Sequence, residues 1–146
     1  MLCSIRMIIT DDNLKKLLIK KEIVDEKKAD DLIQLASQTK TSFVQLLIDK
    51  DIISDSHIGL IVADFLHFPF IILSKTYISY ETARLIPEKF ARKYNVIPFA
   101  RDTTGIKLGM IDPRQTYIQS LIAKKTGEKV IPYLATENDI HNKFQI

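Results

Sequence analysis

The sequence predicts an α+β fold: an N-terminal pseudo-repeated helical unit packed on a small C-terminal α/β lobe that contains a β-hairpin. Three observations predict it. The run Leu14-Lys15-Lys16-Leu17-Leu18-Ile19-Lys20-Lys21-Glu22-Ile23-Val24-Asp25-Glu26 is echoed without a gap, 29 residues later, by Phe43-Val44-Gln45-Leu46-Leu47-Ile48-Asp49-Lys50-Asp51-Ile52-Ile53-Ser54-Asp55. A period in this range marks stacked supersecondary units, none able to bury its apolar face alone. Two copies are too few for a solenoid and imply a small pseudo-symmetric unit. The second observation is that apolar residues in this half recur at helical spacing, whereas short apolar runs alternate with helical patterns after Pro69. The third is a hairpin signal, Asp102-Thr103-Thr104-Gly105, between two such runs. A hairpin among alternating strands and helices favours α+β over a doubly wound parallel sheet.

Taken in order, Thr10-Asp11-Asp12 offers N-cap oxygens ahead of Leu14, Leu17 and Leu18, which lie at i, i+3 and i+4 on one helix face. Ile23-Val24 reads as a buried link. Asp25 caps a second helix that turns Ala29, Leu32, Ile33 and Ala36 to one side. In the second copy Ser42 precedes Phe43, Leu46 and Leu47, and Ser54 caps a helix carrying Ile58, Ile61, Val62 and Phe65. Each cap is worth about 1 kcal/mol, so most of the stability comes from packing the apolar faces. His67-Phe68-Pro69 ends the unit, because proline disfavours a helical residue before it.

Phe70 to Leu73 is expected to form a short buried strand. Ser79 starts a helix through Leu85, and Pro87 at a first helical position starts another, Glu88 to Tyr94, stopped by Asn95 in a left-handed conformation. Val96 to Ala100 and Ile106 to Ile111 form the hairpin around a four-residue loop. Asp112-Pro113 is expected to open a helix that carries Ile118, Leu121 and Ile122 inward and stops at Gly127. Lys129 to Ala135 is a strand in which Pro132, like Pro98 before it, favours an edge or a bulge. Thr136-Glu137-Asn138-Asp139 resembles a capping box before a last helix.

Composition narrows the function. The 146 residues fit one domain or two small lobes, and the net charge of +3 is too weak to argue for nucleic acid. The single Cys3 rules out an internal disulfide and fits a reducing compartment. The apolar start Met1 to Ile9 is too short for a secretory signal, and the apolar window Ile58 to Leu73 holds Asp64, His67 and Pro69 and is too short to span a bilayer. The expected location is the cytoplasm.

No catalytic residue, cofactor site or metal site is expected. Gly105 and Gly109 are not followed by the Gly-Lys-Ser/Thr of a phosphate-binding loop, and His57, His67 and His141 lack ligand spacing. Asp112 and Arg101 near the hairpin have structural roles available to them. Lys15, Lys16, Lys20 and Lys21 form a basic cluster that Asp11, Asp12 and Glu22 can balance as a solvated face. What remains is a binding module.

The ordered set of the doubled Leu-Leu-Ile…Ile-Val/Ile unit, Phe68-Pro69-Phe70, Ala83-Arg84-Leu85-Ile86-Pro87-Glu88, Tyr94-Asn95-Val96-Ile97-Pro98 and Met110-Ile111-Asp112-Pro113 resembles the N-terminal domain of bacterial type II secretion and type IV pilus assembly ATPases. The resemblance spans roughly Leu14 to Ile140. It implies one accessory domain, made of a duplicated helical subdomain (1–68) and an α/β subdomain (69–146), ahead of the ATPase motor domains. It also implies docking on the cytoplasmic part of an inner-membrane platform protein, and so a cytoplasmic position peripheral to that membrane.

Part of this family binds cyclic di-GMP through the doubled unit. Its motif asks in each copy for Arg-Leu-Gly, an apolar pair, Gly with a second apolar pair, and a distant Gln. Arginine forks onto phosphate or guanine, and glycine admits the ligand to the backbone. Here the apolar positions match, but Asn13 and Ser42 stand for the arginines, Lys15 and Val44 for the first glycines, Glu22 and Asp51 for the second, and Ala36 and Phe65 for the glutamine, with Gln38 two residues late. Losing two charge-assisted contacts costs about 3–6 kcal/mol, roughly a hundred- to ten-thousand-fold in affinity. The expectation is a retained fold without cyclic di-GMP binding, a degenerate receptor being the alternative. Candidate partner contacts are the exposed charges of the first repeat and of the region holding Arg84, Lys89, Arg92 and Lys93.

Overall fold

A computed structural model describes residues 8–144; Cys3 and most of the apolar start lie outside them. The chain forms two compact units, Met1–Val62 and Ala63–Ile146, and the fold is α+β, as the sequence indicates.

The first unit is built from α1 (Asp11–Lys20), α2 (Glu26–Thr39), α3 (Phe43–Asp49) and the larger part of α4 (Asp55–Leu66). Four short polar side chains start these helices. Thr10 Oγ1 accepts from the Asn13 N–H at 3.1 Å, an Asp25 carboxylate oxygen from Lys28 at 2.7 Å, Ser42 Oγ from Gln45 at 2.9 Å and Ser54 Oγ from His57 at 3.1 Å. Each bond satisfies a donor that the helix itself leaves free. α2 packs against both α1 and α3. Leu14, Leu18, Leu32, Phe43, Leu47 and Ile58 are buried along these faces, while Leu17 and Ile33 at their margins are half-buried. Phe65 departs from expectation. It is 40% exposed although Ile58, Ile61 and Val62 of the same helix are buried, because it falls in the last turn, just before His67 at φ +62° ends the helix.

The second unit holds a three-stranded sheet: β1 (Val96–Asp102), β2 (Gly105–Met110) and β3 (Val130–Leu134), in the order β1-β2-β3. β1 pairs antiparallel with β2, and β2 pairs parallel with β3. The parallel return requires a crossover, which α7 (Thr116–Thr126) supplies. Alternate side chains pass to opposite faces of the sheet. Val96, Leu108, Met110 and Val130 cluster with Ala91 of α6 (Glu88–Tyr94) and with Ile118 and Ile122 of α7. Ile97 and Phe99 cluster with Leu73, Ala135 and Ile140, the last from α8 (Glu137–Phe144). Both prolines lie in edge strands, and the register shifts between Pro98 and Ala100, which agrees with the missing N–H.

Five local expectations are corrected. Phe70–Leu73 is not a strand. Phe70 makes one isolated bridge to Leu134, and the chain then turns into a 3-10 helix, Leu73–Lys75. The cause is Asp139 of α8, whose carboxylate accepts the Leu73 and Ser74 N–H groups at 2.6 and 3.1 Å and so draws them away from any ladder. The helix after Ser79 is shorter than expected, α5 being Tyr80–Ala83, and Pro87 is the N-cap of α6 rather than its first residue. The hairpin loop is two residues, since Asp102 still pairs with Gly105. The Asp102 carboxylate accepts from both the N–H and the hydroxyl of Thr104, which tightens the turn. Finally, Asp112 does not cap α7. Its Oδ1 accepts from the N–H of Arg114 at 3.0 Å and from that residue's Nε at 2.9 Å. This local turn delays the helix to Thr116, after Gln115.

Candidate functional site

The doubled unit is the candidate site, and its two copies agree beyond their side chains. α1 and α3 end in the same pattern of backbone bonds. Lys21 donates to Leu17, Glu22 to Ile19 and Ile23 to Leu18, at 2.9–3.0 Å; Lys50 donates to Leu46, Asp51 to Ile48 and Ile52 to Leu47, at 3.0 Å. Each partner lies 29 residues from its counterpart. Glu22 and Asp51 carry the turn in the left-handed region, at φ +60° and +55°. Val24 and Ile53 are buried directly after it, and Asp25 and Ser54 then start the next helices. The copies diverge at the far end, where α2 runs to Thr39 and α4 stops sooner in its copy, at Leu66.

The positions that carry ligand contacts in the resembling family are filled otherwise here. Asn13 is exposed in the first turn of α1, and Ser42 is engaged as the cap of α3. Lys15 Nζ bonds Asp30 Oδ1 of α2 at 2.6 Å, with Glu26 at 3.9 Å. Its side chain is only 18% exposed. The Asp30 hydrogen bond holds the ammonium above its ordinary range, against some burial. Val44, at the equivalent place in the second copy, is buried, and so is Ala36, whereas Phe65 is partly exposed. Glu22 and Asp51 point two exposed carboxylate-bearing residues out of the turns where glycine would leave bare backbone.

The basic cluster of α1 separates into different environments. Lys15 is tied to α2, Lys16 pairs with Asp12 one turn earlier at 3.1 Å, and Lys20 and Lys21 are exposed. In the second unit Arg101 Nε bonds Glu128 at 2.9 Å. Burial works against the charge of Asp112, yet the hydrogen bonds from Arg114 outweigh it and keep the carboxyl below its usual range. His57 and His67 are exposed, and His141 Nε2 lies 3.2 Å from Asn95 Oδ1. Among the described residues no group of three or more His, Cys, Asp or Glu side chains is arranged to hold a metal ion. No helix among them is long and apolar enough to cross a membrane. Arg84, Lys89, Arg92 and Lys93 are all exposed. Arg84 bonds and stacks on Tyr80, Arg92 bonds Glu88, and Lys93 lies over the Tyr94 ring. The sequence did not reveal that Lys125 of α7 shares this surface; it sits over the ring of Phe90 in α6.

A family model, the MshEN domain, matches residues 66–145, more than half of the chain. Among solved structures, that of MshE with cyclic di-GMP is 22% identical, with a TM-score of 0.66, over 90% of this chain and 96% of that one. The N-terminal domain of XpsE, in two crystal forms, is 13% identical, with TM-scores of 0.51 and 0.56. These cover 94% and 99% of this chain and 95% and 96% of theirs. At such identities the likeness establishes the fold. No curated protein sequence matches the chain.

Proposed function

The chain belongs to the MshEN domain family, an N-terminal accessory domain type of secretion and pilus assembly ATPases, and from this premise we propose that it is a non-catalytic interaction domain that docks such a motor on a membrane platform. In this reading the helical subdomain (1–68) and the α/β subdomain (69–146) act together as one accessory module. Its partners are the motor domains and the cytoplasmic part of an inner-membrane platform protein, which holds the module peripherally at the membrane. The family match is the observation that carries the reading. Pull-down with the cytoplasmic domain of the cognate platform protein tests it. Binding at low and moderate salt is expected, and its absence at both overturns the proposal.

A second reading, a cyclic di-GMP receptor with a degenerate motif, is favoured by one observation: the left-handed turns at Glu22 and Asp51 keep the backbone geometry of both copies in a fold like that of MshE solved with this nucleotide. Against it stand the side chains at the contact positions, above all two carboxylates facing an anionic ligand. Amide shifts confined to residues 13–66 on titration with cyclic di-GMP would establish the receptor. No heat at high micromolar nucleotide would remove it.

A further inference from the structure

The two units differ in charge. Residues 63–146 hold twelve Lys and Arg against eight Asp and Glu, so the second unit carries net +4 while the whole chain carries +3. Part of that excess is gathered where α6 meets the end of α7. Lys125 Nζ lies 5.7 Å from the centroid of Phe90, the Phe90 and Tyr94 rings are 4.6 Å apart, and Lys93 Nζ lies 5.2 Å from the centroid of Tyr94. Lys89 and Lys124, next to Phe90 and Lys125 in the sequence, are both exposed. Among the described residues none of these four lysines has a carboxylate within ion-pair distance, whereas Lys15, Lys16, Arg92, Arg101, Lys107 and Arg114 all do.

The distinction between the two kinds of partner matters. A carboxylate that holds an ammonium also cancels its charge. An aromatic face attracts the ammonium through its quadrupole and leaves the full charge outward. The negative ends of α6 and α7 offset about half a charge each, less than the two cations that each last turn carries. The paired rings, tilted at 47°, therefore restrain positive charge without cancelling it. Restraining lysine side chains beforehand lowers the cost of binding an anion there.

We propose that this face, α6 together with the last turn of α7, binds an acidic peptide segment of a partner protein. The three ring contacts put the Lys93 and Lys125 ammonium groups no more than about 16 Å apart. An extended chain rising about 3.3 Å per residue spans that in roughly five residues. A bilayer fits less well, because without apolar side chains to insert only the surface charge would hold it. On these two helices the only exposed large hydrophobic is Tyr117, at the opposite end of α7. The proposal rests on the reading of the chain as an interaction domain and adds the surface and the chemistry of what it takes.

The test is anisotropy of a labelled peptide of about ten residues alternating Glu and Ser, titrated with the whole chain at low and moderate salt. Binding that weakens with salt and falls roughly five-fold or more in K93Q/K125Q, but stays within about two-fold in K20Q/K21Q, supports the proposal. No binding, or equal loss in the two variants, which have equal charge, overturns it. So does tighter capture by vesicles of phosphatidylcholine with about 30% phosphatidylserine than by the peptide. The platform pull-down keeps the two readings apart. Platform binding that K93Q/K125Q leaves untouched overturns only the surface, and peptide binding without platform binding overturns only the docking reading.

Discussion

Glu22 and Asp51 share one backbone conformation 29 residues apart, each in the left-handed region and each closing the first helix of its copy. A Cβ in this region crowds the following carbonyl at roughly 1–2 kcal/mol, in full for Glu22 and less for Asp51, because aspartate is one of the few side chains that enter it with any frequency. Glycine would remove that cost and lose about 0.5–1 kcal/mol to the greater freedom of the unfolded chain. Glu22→Gly is therefore expected to stabilise by about 0.5–1 kcal/mol, and Asp51→Gly to stay within about 0.5 kcal/mol of neutral. The effects should add, since the sites share no hydrogen-bond partner. Urea unfolding of both single variants and the double variant checks this; a loss of stability beyond these ranges would show that the carboxylates are engaged in the turns.

The same internal symmetry sets an expectation for the core. Leu18 and Leu47 are equivalent in the repeat and both are fully buried. Truncating either to alanine is expected to cost about 2–5 kcal/mol, and the two costs should agree within about 1 kcal/mol. Denaturation midpoints measured side by side decide it.

Asp139 links residues distant in the chain by accepting two backbone N–H groups, those of Leu73 and Ser74. Asp139→Ala leaves both donors without that acceptor, and Leu73 is fully buried. At about 1.5–3 kcal/mol for a charge-assisted bond, the expected loss is roughly 2–4 kcal/mol, the Ser74 bond being exposed and worth less. Hydrogen exchange should speed up at both amides; unchanged protection would mean that another group holds this turn.

Gly105 has no tolerable substitute. Its φ is +136°, and a Cβ built there would lie 2.3 Å from the carbonyl oxygen of Lys129. That oxygen is fixed, because it accepts from the Ile106 N–H at 2.8 Å. Gly105→Ala is expected to destabilise by at least about 2 kcal/mol, from strain and overpacking together. Thermal unfolding reads the loss, and a near-neutral result would mean that the hairpin end can shift away from Lys129.

Asp102 gives stability a dependence on acid. Hydrogen bonds from the Thr104 hydroxyl and N–H, helped by Lys107, lower its pKa from 3.8 to about 2. The folded value is below the unfolded one, so the unfolded chain binds the proton more readily. The contribution is present in full above pH 3.8 and is lost as pH falls from there towards 2. Asp102→Asn should flatten that part of the acid-unfolding curve while leaving the neutral region, apart from a constant offset, parallel to the parent. An unchanged acid limb would assign the effect to other carboxylates.

What the sequence revealed follows from the range of each interaction. Thr10, Asp25, Ser42 and Ser54 act on an N–H three residues ahead, and Asn95 and Gly127 act where they stand, so these helix ends were legible. The run Phe70–Leu73 looked like a strand because its β-branched composition is local, while the carboxylate that turns it aside comes from Asp139, 66 residues from Leu73. Asp112 is ambiguous in the sequence because an Asp-Pro pair serves equally as a helix cap and as the start of a turn, and the N–H and guanidinium of Arg114 together decide for the turn. At the candidate site the altered contact residues were plain. The persistence of the left-handed turns beneath Glu22 and Asp51 was not, because the usual sign of such a turn is glycine.

The mixed sheet also orders events in time. β1 and β2 are joined by two residues, and a hairpin of that kind closes within about 1–10 μs. β3 has no such neighbour. It must wait until α7 has formed and carried the chain back, and only then does it find the second edge of β2. On a ribosome the hairpin emerges first and presents that edge, with its unsatisfied amides, until some twenty further residues have followed, at roughly 5–20 residues per second. For about a second or more the nascent second unit is an open template for any passing strand, and its own β3 is what closes it.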